Sequence, residues 1–583
     1  MLYIVFLNLN LLFNFKTMRY SKLFGKTEKE GRKEISLKSH KLLFQAGFVR
    51  ESTAGRYYFL PLGWRVHQKI RDIIKQEMDK AGAQEMVAPI LQPLNLWKET
   101  NRNESGGYEL TIVKDRRGDE FTLGGTGEEM FVDVVRNFQL SYKDLPLNIY
   151  QFGSKFRDEL RSKGGLLRTR EFVMKDGYSF HTSPEDFEKE YNNMSKAYKN
   201  IYDRVGLLTD IVPADNGYFG GDYCHEFIVE SDAGESTYFI TEDGSYIAHQ
   251  DIAKFDRGEM NPDEEMAEFK SIDQPDWVRT MEDNLKHYNQ PKWRFLKNVV
   301  YKNRETNEII IATIRGDLEV NSNKLEHALG MVGLLDDATD EDLASIGTKS
   351  GYVHAWGHKG CRYVGDLSLK SVKNFIGGQK EELTDTFNVN YGKDFEHDIT
   401  ADIAKAQDGF LTENTKLKLV QKKGVEVGNI FQLAQHYSTK MNAVVNGEDG
   451  LPIHYYMGCY GIGLGRTMAT VAEIFSDERG LIWPESIAPF KIHLIGLNLE
   501  DEAIKLKADE LYNQLISQNI EVLYDDRIEI RPGEKFADAD LIGNPWRVVI
   551  SRKSIENGGV EVKKRNETES KVFTIEELQN QVK

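Results

Sequence analysis

The stretch FRDELRSKGGLLRTREFVMKDGYSFH, residues Phe156–His181, predicts an antiparallel hairpin. Phe156 is expected to start one strand and residues 171–174 to lie on the other. Gly164 and Gly165 allow the positive-φ turn between the two strands. Arg157 and Glu159 are two residues apart, so on a strand both side chains leave the same face.

This combination of side chains suits a nucleotide. An arginine fork such as that of Arg157 contacts phosphate, a carboxylate such as that of Glu159 accepts a hydrogen bond from an exocyclic amine, and an aromatic ring stacks on a base. The alternative is a solvated, charge-laced hairpin. Arg168 and Phe172, on the far side of the glycine loop, favour the nucleotide interpretation.

Composition limits the class of protein. A chain of 583 residues is too long for one hydrophobic core, so roughly two to four domains are expected. The net charge of −17 argues against a protein that coats nucleic acid non-specifically, although a local basic tract remains compatible with docking one RNA. Cys224, Cys361 and Cys459 form no C-x-x-C pair, which favours neither a disulfide framework nor a structural zinc site and fits a reducing, cytoplasmic compartment.

The N-terminus, residues 1–17, is an apolar run with interspersed asparagines. It is too short to span a bilayer and lacks the basic region that precedes the apolar core of a secretory signal. We interpret it as an N-terminal extension, a gene-model artefact or a poorly ordered segment, with a cleaved targeting peptide as the alternative. No membrane association is expected.

Two short motifs lie upstream of the hairpin. Apolar side chains recur at helical spacing in residues 66–78, which predicts an amphipathic helix. Gly82 is expected to end this helix, and a strand is expected from Glu85 to Ile90. In FTLGGTGEEM, Thr126 and Glu128 flank a glycine and suit an ammonium group; the alternative is a capping box formed by Thr126 and Glu129.

Two further motifs lie downstream of the hairpin. On the predicted strand 424–438, Glu426 is a candidate Mg²⁺ ligand or a surface carboxylate, and Gln432 is placed to reach the nucleotide. In MGCYGIGLGRTMATVAEIF, a glycine-rich run leads into a helix whose first turn holds Arg466, where a phosphate is favoured. A dinucleotide fingerprint is rejected, because it needs G-x-G-x-x-G early in a βαβ unit.

Together these motifs resemble the class II aminoacyl-tRNA synthetases, in the form of the bacterial-type prolyl-tRNA synthetases. GLLRTREF, MKDGYSFH and MGCYGIG carry the resemblance most specifically. It implies an α+β fold: an antiparallel-sheet catalytic domain, an inserted α/β editing-like domain and a C-terminal α/β anticodon-binding domain. The expected limits are 18–255 and 401–484 for the catalytic domain, 256–400 for the insertion and 485–583 for the anticodon-binding domain.

The resemblance also implies a reaction: L-proline and ATP form prolyl-adenylate, and the prolyl group passes to the 3′ end of tRNA(Pro). ATP is a substrate, Mg²⁺ a cofactor and a homodimer the expected assembly. Arg157 and Arg466 are the candidate catalytic residues. The implied ATP-binding residues are Arg157, Glu159, Arg168, Phe172, Gln432 and Arg466. The implied proline-binding residues are Thr126, Glu128, Arg157, Asp176, Cys459 and Gly461; Cys459 is alternatively a small buried apolar residue.

The insertion resembles a domain that hydrolyses mischarged alanyl-tRNA. An apolar pocket sized for proline discriminates weakly against a smaller amino acid, by about 1–3 kcal/mol, so a second site is needed. Here the chain departs from the family pattern: Lys297 and Asp385 stand at the implied editing positions, where Asp385 replaces a frequent histidine. In the last domain, Arg527, Arg531 and Lys535 are RNA-contact candidates, with solvent-facing side chains as the alternative, and the stretch 531–543 is expected to be a loop.

Two other functions stay open at this point. One is another class II synthetase, for threonine, histidine, serine or glycine. The other is a non-catalytic tRNA-binding or editing paralogue, which should have lost the motif arginines; both Arg157 and Arg466 are present.

Overall fold

A computed structural model describes residues 17–29, 35–103, 109–138, 140–160, 162, 164–221 and 223–582. The chain forms two compact units: unit 1 comprises 1–211, 226–235 and 424–583, and unit 2 comprises 212–225 and 236–423. Apart from Thr17, the extension expected at 1–17 lies outside the described residues. The expected domain limits stay predictions.

The elements of the first half of unit 1 are numbered along the chain. They are β1 Thr17–Arg19, α1 Lys38–Gln45, β2 Val49–Thr53, β3 Arg56–Phe59, α2 Pro61–Lys80, β4 Gln84–Glu85, β5 Leu91–Pro93, α3 Leu94–Glu99, β6 Ile112–Lys114, β7 Glu120–Leu123, α4 Glu128–Arg136, β8 Leu147–Phe156, β9 Glu171–His181 and α5 Pro184–Val205.

The elements between residues 210 and 401 follow. They are β10 Asp210–Ala214, β11 Tyr223–Glu230, β12 Ser236–Ile240, β13 Ile247–His249, β14 Lys270–Asp273, α6 Met281–Tyr288, β15 Leu296–Asn303, β16 Ile309–Arg315, α7 Ser322–Leu329, β17 Leu335–Asp337, α8 Asp340–Ser345, β18 Cys361–Asp366, β19 Phe375–Ile376, β20 Thr384–Val389 and β21 Ile399–Ala401.

The chain then returns to unit 1. Its remaining elements are β22 Val420–Ala434, α9 His436–Lys440, β23 Val444–Asn446, β24 Pro452–His454, β25 Tyr456–Gly463, α10 Leu464–Ile474, β26 Ser476–Asp477, β27 Gly480–Leu481, β28 Ile492–Gly496, α11 Glu502–Ser517, β29 Val522–Asp525, α12 Pro532–Ile542, β30 Trp546–Ile550, α13 Arg552–Glu556, β31 Val560–Lys564, β32 Lys571–Phe573 and α14 Ile575–Gln581.

The central sheet of unit 1 has the strand order β11–β22–β25–β9–β8–β4. β22, β25, β9 and β8 pair antiparallel, and only the short β4 joins β8 in parallel. Helices α2, α5 and α10 pack on this sheet with apolar stripes; in α2 the buried stripe is Val66, Ile70, Ile73, Ile74 and Met78, as the helical spacing predicted. An antiparallel sheet with helices on it confirms the expected fold class.

The C-terminal part of unit 1 holds a mixed sheet of order β1–β29–β28–β30–β31–β32. β1 is its edge strand and pairs in parallel with β29, Thr17 opposite Val522. Ser21 continues this contact by donating its backbone N–H to Asp526 Oδ1 at 3.0 Å. The first described residues of the chain therefore complete a sheet built from the last hundred.

Unit 2 is built on a five-stranded sheet, β17–β15–β16–β18–β21, and a three-stranded sheet, β14–β20–β19. The stretches NVVYKN and EIIIATIRGD lie largely in β15 and β16, which pair antiparallel with Lys297 opposite Ile314. Helix α7 ends at Leu329, because Gly330 adopts a left-handed conformation (φ +68°) and caps it. No helix in the part of the chain that the structure describes is long and apolar enough to cross a membrane.

Three local predictions are wrong. Phe156 ends β8 instead of starting a strand, so Arg157 and Glu159 lie in the loop that leads to β9. The strand expected from Glu85 to Ile90 is paired only at Gln84–Glu85. The expected loop 531–543 contains α12, because Pro532 occupies its first turn, where proline is favoured, and Gly543 (φ +79°) caps its end.

Candidate active site

The floor of the site is formed by β8, β9 and β25. Their register places Asp176 between Gln151 on β8 and Gly461 on β25, and places Tyr178 opposite Cys459. Side chains on this face of three adjacent strands lie close together. The structure thus brings together three of the residues implied for proline binding: Asp176, Cys459 and Gly461.

Glu128 lies over this floor, in the first turn of α4, and is completely buried. Its carboxylate accepts hydrogen bonds from Thr126 Oγ1 at 2.6 Å and from Cys459 Sγ at 3.2 Å. The capping-box alternative is wrong, because Gly127 is the N-cap of α4 and Thr126 donates to Glu128. Gln92 Nε2 donates to the Thr126 carbonyl at 2.8 Å and fixes the loop.

The charge of Glu128 is stabilised by its neighbours. Burial opposes the ionised form, but the charge of Arg102 and the hydrogen bonds from Thr126 and Cys459 outweigh it, so the pKa of Glu128 lies below its ordinary value. Burial, with the nearby Glu128, raises the pKa of the Cys459 thiol well above its ordinary value. At this end of the pocket, Glu128 therefore favours its ionised form and the Cys459 thiol favours its protonated form.

Asp176 is held by three donors to the same oxygen. Lys155 Nζ lies 2.8 Å, Gln151 Nε2 2.9 Å and Tyr178 OH 3.0 Å from Oδ2. Oδ1 is buried and has no hydrogen-bond partner in the described protein. A Cβ on Gly127 would approach Asp176 Oδ2 to 2.9 Å, so the glycine allows the loop to lie directly on this carboxylate.

Arg157 lies at the junction of the hairpin and the 124–126 loop. Its Nε donates to the Gly125 carbonyl at 3.1 Å, and its guanidinium carbon lies 5.4 Å from the centroid of the Phe172 ring. This distance allows a cation–π contact. The glycine loop therefore brings Arg157 and Phe172 together, although Arg157 is not on a strand.

Arg168 and Arg466, two of the remaining predicted nucleotide residues, form three ion pairs. Arg168 donates to Glu159 Oε2 at 2.7 Å and to Glu235 Oε2 at 2.9 Å. Arg466 Nη1 lies 3.2 Å from Glu426 Oε2, and its Nε donates to the Leu167 carbonyl at 2.9 Å. Because Leu167 precedes Arg168, the two arginines are anchored at neighbouring points of the hairpin loop.

Glu426 and Gln432 lie on β22. Asn429 Nδ2 donates to Glu426 Oε1 at 2.8 Å, so both carboxylate oxygens have protein partners. Gln432 is buried and lies opposite Gly458 of β25, in the sheet that forms the floor. Within the described residues, no group of three or more His, Cys, Asp or Glu side chains is arranged to hold a metal ion.

The two editing candidates belong to unit 2 and have separate partners. Lys297 Nζ donates to Glu319 Oε2 at 2.5 Å, whereas Asp385 accepts from Gln274 Nε2 at 3.0 Å. Burial raises the pKa of Asp385 above its ordinary value.

Two buried cations of the site, Arg102 and Lys155, were not predicted from the sequence. Neither falls in a recognisable motif, and only the fold brings them to Glu128 and Asp176. Two of the RNA-contact candidates make contacts within the protein. Arg527 pairs with Asp525 and Asp538, and Lys535 is buried and donates to the Gly496 carbonyl.

Comparison with known families places the described motifs in two domains. Residues 109–475 match the tRNA synthetase class II core domain (G, H, P, S and T), and residues 486–583 match an anticodon-binding domain. The first match spans the hairpin, the Thr126–Glu128 loop and Arg466.

Full-length relatives are proline–tRNA ligases. That of Fusobacterium nucleatum is 42% identical over 97% of this chain and 98% of its own length, and that of Dehalococcoides mccartyi is 39% identical over 97% and 98%. Among solved structures, the prolyl-tRNA synthetases of Giardia lamblia, in complex with prolyl-adenylate, and of Cryptosporidium parvum, complexed with L-proline and AMP, share the fold. The Giardia lamblia structure has a TM-score of 0.56 at 16% identity and covers 92% of this chain and 74% of its own. The Cryptosporidium parvum structure has a TM-score of 0.54 at 14% identity and covers 93% of this chain and 76% of its own.

Proposed function

The chain belongs to the prolyl-tRNA synthetases of class II, and from this membership we propose how its residues carry out the reaction. The protein is a proline–tRNA ligase: it activates L-proline with ATP and transfers the prolyl group to tRNA. The observation that carries the site assignment is the buried Glu128 carboxylate, held by Thr126 and Cys459 beside Arg157 and the hairpin loop.

Glu128 binds the cationic amine of proline, and Thr126 orients that carboxylate. Asp176, Cys459 and Gly461 form the floor on which the ring lies. Gly461 is supported as a close-approach position, because a Cβ there would lie 3.0 Å from Asn429 Oδ1.

Arg157 bridges the proline carboxylate and the α-phosphate, so that the carboxylate attacks phosphorus and pyrophosphate leaves. Phe172 stacks on the adenine, with Glu159 at the exocyclic amine and Gln432 behind the nucleotide. Arg168 and Arg466 bind the β- and γ-phosphates, whose charges replace those of Glu159, Glu235 and Glu426. Catalysis here is positioning and charge stabilisation, without a covalent enzyme intermediate.

Glu426 is the proposed protein ligand for Mg²⁺. Mg²⁺ is usually bound by one or two carboxylates together with substrate phosphates, and Glu426 Oε2 becomes available for such a shared site when the phosphates take its place at Arg466. When bound, the ion supplies charge neutralisation at the pyrophosphate leaving group.

Arg157→Ala tests the assignment. It is expected to abolish proline-dependent exchange of pyrophosphate into ATP, whereas Arg117→Ala, on the exposed turn after β6, leaves the exchange unchanged. Retained exchange in Arg157→Ala removes Arg157 from the mechanism. Exchange driven by threonine, histidine, serine or glycine instead of proline contradicts the amino-acid assignment.

A homodimer is the proposed assembly. Next to β4 the segment 86–91 exposes apolar side chains: Val87 is 81%, Ile90 48% and Leu91 43% exposed. An apolar patch of this kind is typical of an interface. We expect the mass of two chains in sedimentation analysis and a single-chain mass for Val87→Glu; a single-chain mass for the unmodified protein rejects the dimer. The proposed compartment is the cytoplasm.

Unit 2 is proposed to hydrolyse mischarged alanyl-tRNA. Its support is its place as an insertion in the chain and the buried Asp385, whose raised pKa is typical of functional carboxyls. Asp385→Asn and Lys297→Ala are each expected to slow deacylation of alanyl-tRNA by about 10-fold or more. Absence of deacylation by the unmodified protein rejects editing and leaves the ligase assignment intact.

A further inference from the structure

We infer that Arg102 is a positioning residue for amino-acid recognition: it holds Glu128 in its anionic form and fixes that carboxylate toward the bound amine. This inference rests on the proposed role of Glu128. Arg102 itself is assigned no contact with the substrate.

The geometry is that of a buried charge cluster. Arg102 is 3% exposed, and its Nη1 lies 3.3 Å from Glu128 Oε2 and 2.9 Å from Glu129 Oε1. Its guanidinium lies 5.0 Å from the centroid of the Trp97 ring and 5.4 Å from that of the Tyr437 ring. A planar cation between two rings and two carboxylates has little freedom to move.

Two consecutive buried carboxyl groups cannot both ionise next to one cation without a large cost. The structure treats them differently. Glu128 receives Thr126 and Cys459 as additional donors, and its pKa lies below the ordinary value. Besides Arg102, Glu129 receives a hydrogen bond from Thr100 Oγ1, at 2.8 Å. Burial, with the nearby Glu128, raises the pKa of Glu129.

Glu128 and Glu129 therefore have different roles. Glu129 binds a proton more readily than Glu128 and contacts Thr100 at the end of α3, while Glu128 faces Thr126 and Cys459 at the pocket floor. Without Arg102, the two carboxyl groups would compete for a proton in a site closed to water, and Glu128 would lose the charge that binds the amine.

The test is a set of variants in the pyrophosphate-exchange assay. Arg102→Met is expected to raise the KM for proline by about 10-fold or more, the effect of losing a charged hydrogen bond, with the KM for ATP within about twofold of the unmodified protein. Arg102→Lys keeps the charge, so its KM for proline should rise less than that of Arg102→Met. The double variant Arg102→Met with Glu129→Gln removes the competing acid, so its KM for proline should also rise less. The matched control is Arg136→Met, at the other end of α4, where Arg136 pairs with Glu99 and Asp133; its KM for proline should not change.

Three results would overturn the inference. They are a proline KM for Arg102→Met within about twofold of the unmodified protein, an equal rise in the KM for ATP, and no recovery in either second variant. If Arg102→Met does not fold, Arg102→Lys and the double variant decide by the same comparison. An unmodified protein without proline-dependent exchange, or an active Glu128→Gln with an unchanged proline KM, would instead refute the proposed function itself.

Discussion

Arg527→Met tests whether Arg527 serves stability or RNA binding. The guanidinium donates to Asp525 through Nε at 2.8 Å and Nη2 at 2.6 Å, and Nη2 also lies 2.8 Å from Asp538 Oδ2. Asp525 is completely buried. Its burial opposes ionisation, but Arg527 outweighs that effect and holds the pKa of Asp525 below its ordinary value.

The expected loss of stability arises because Arg527→Met leaves the buried Asp525 carboxylate without its main ion-pair partner. Breaking a buried pair by removing one partner typically costs about 3–5 kcal/mol. Protonation limits this cost: moving a carboxyl from its ordinary pKa of about 3.9 to a neutral form at pH 7 takes about 4 kcal/mol. Lys535 Nζ, 3.8 Å from Asp525 Oδ1, remains as a second cation. We therefore expect a loss of about 3 kcal/mol in the free energy of unfolding at pH 7, or roughly 2–3 °C in Tm for cooperative unfolding of the chain.

The sign of the pH dependence is fixed. In the unmodified protein, the lowered pKa of Asp525 contributes stability that is present above about pH 4 and is lost as pH falls through the folded-state pKa. In Arg527→Met the buried carboxyl binds a proton more readily when folded, so the difference between the two proteins shrinks by up to about 1.4 kcal/mol per pH unit on acidification.

The assay is urea unfolding at pH 7.5 and pH 5, with Arg531→Met as the control. Arg531 lies four residues further on and is exposed, so its substitution is expected to change stability by less than about 0.5 kcal/mol. Equal stabilities for the two variants, or a difference that does not change with pH, would refute the reasoning. A selective rise in the KM for tRNA in a stable Arg527→Met would show that this arginine serves RNA binding instead.

Three further predictions concern separate sites. Glu128→Gln is expected to raise the KM for proline by about 10–100-fold in the exchange assay with little change in the KM for ATP; a larger effect on ATP contradicts the pocket assignment. Arg466→Ala should raise the KM for ATP by about 10-fold or more, while Arg479→Ala, on the nearby exposed turn, should not; equal effects would point to a general loss of structure. His493 is buried and its pKa is lowered to about 4, chiefly by burial, so it contributes stability above about pH 6.5 that is lost as pH falls toward 4. His493→Phe should flatten the stability profile by about 3 kcal/mol in this window, and an unchanged profile would show that His493 is not the titrating group.

The periodicity of apolar residues predicted those elements whose buried face can be recognised from their own sequence. The stripe of α2 needed only a local pattern of apolar residues at helical spacing. The helix α12 was missed because Arg531-Pro-Gly looks like a loop, although proline also favours a helix start.

The site was predictable only in part. Glycine-flanked motifs indicated Glu128, Arg157 and Arg466, because each lies in a stretch with an unusual local composition. Arg102 and Lys155 lie in ordinary sequence and acquire their environment from strands and helices distant along the chain. A buried countercharge is a property of the folded arrangement, so its position is not visible in local spacing.

The parallel pairing of β1 with β29 also determines when, during synthesis of the chain, this sheet can be completed. Ser21 and Asp526 are 505 positions apart, so the edge strand leaves the ribosome long before its partner exists. At about 5–20 residues per second, the interval is roughly 25–100 s. Closing so long a loop adds little entropy cost compared with a shorter one, since that cost grows only with the logarithm of length. The strand β1 therefore stays without its partner β29 until residues 522–525 have been made, and the sheet is completed by a strand synthesised 505 positions earlier.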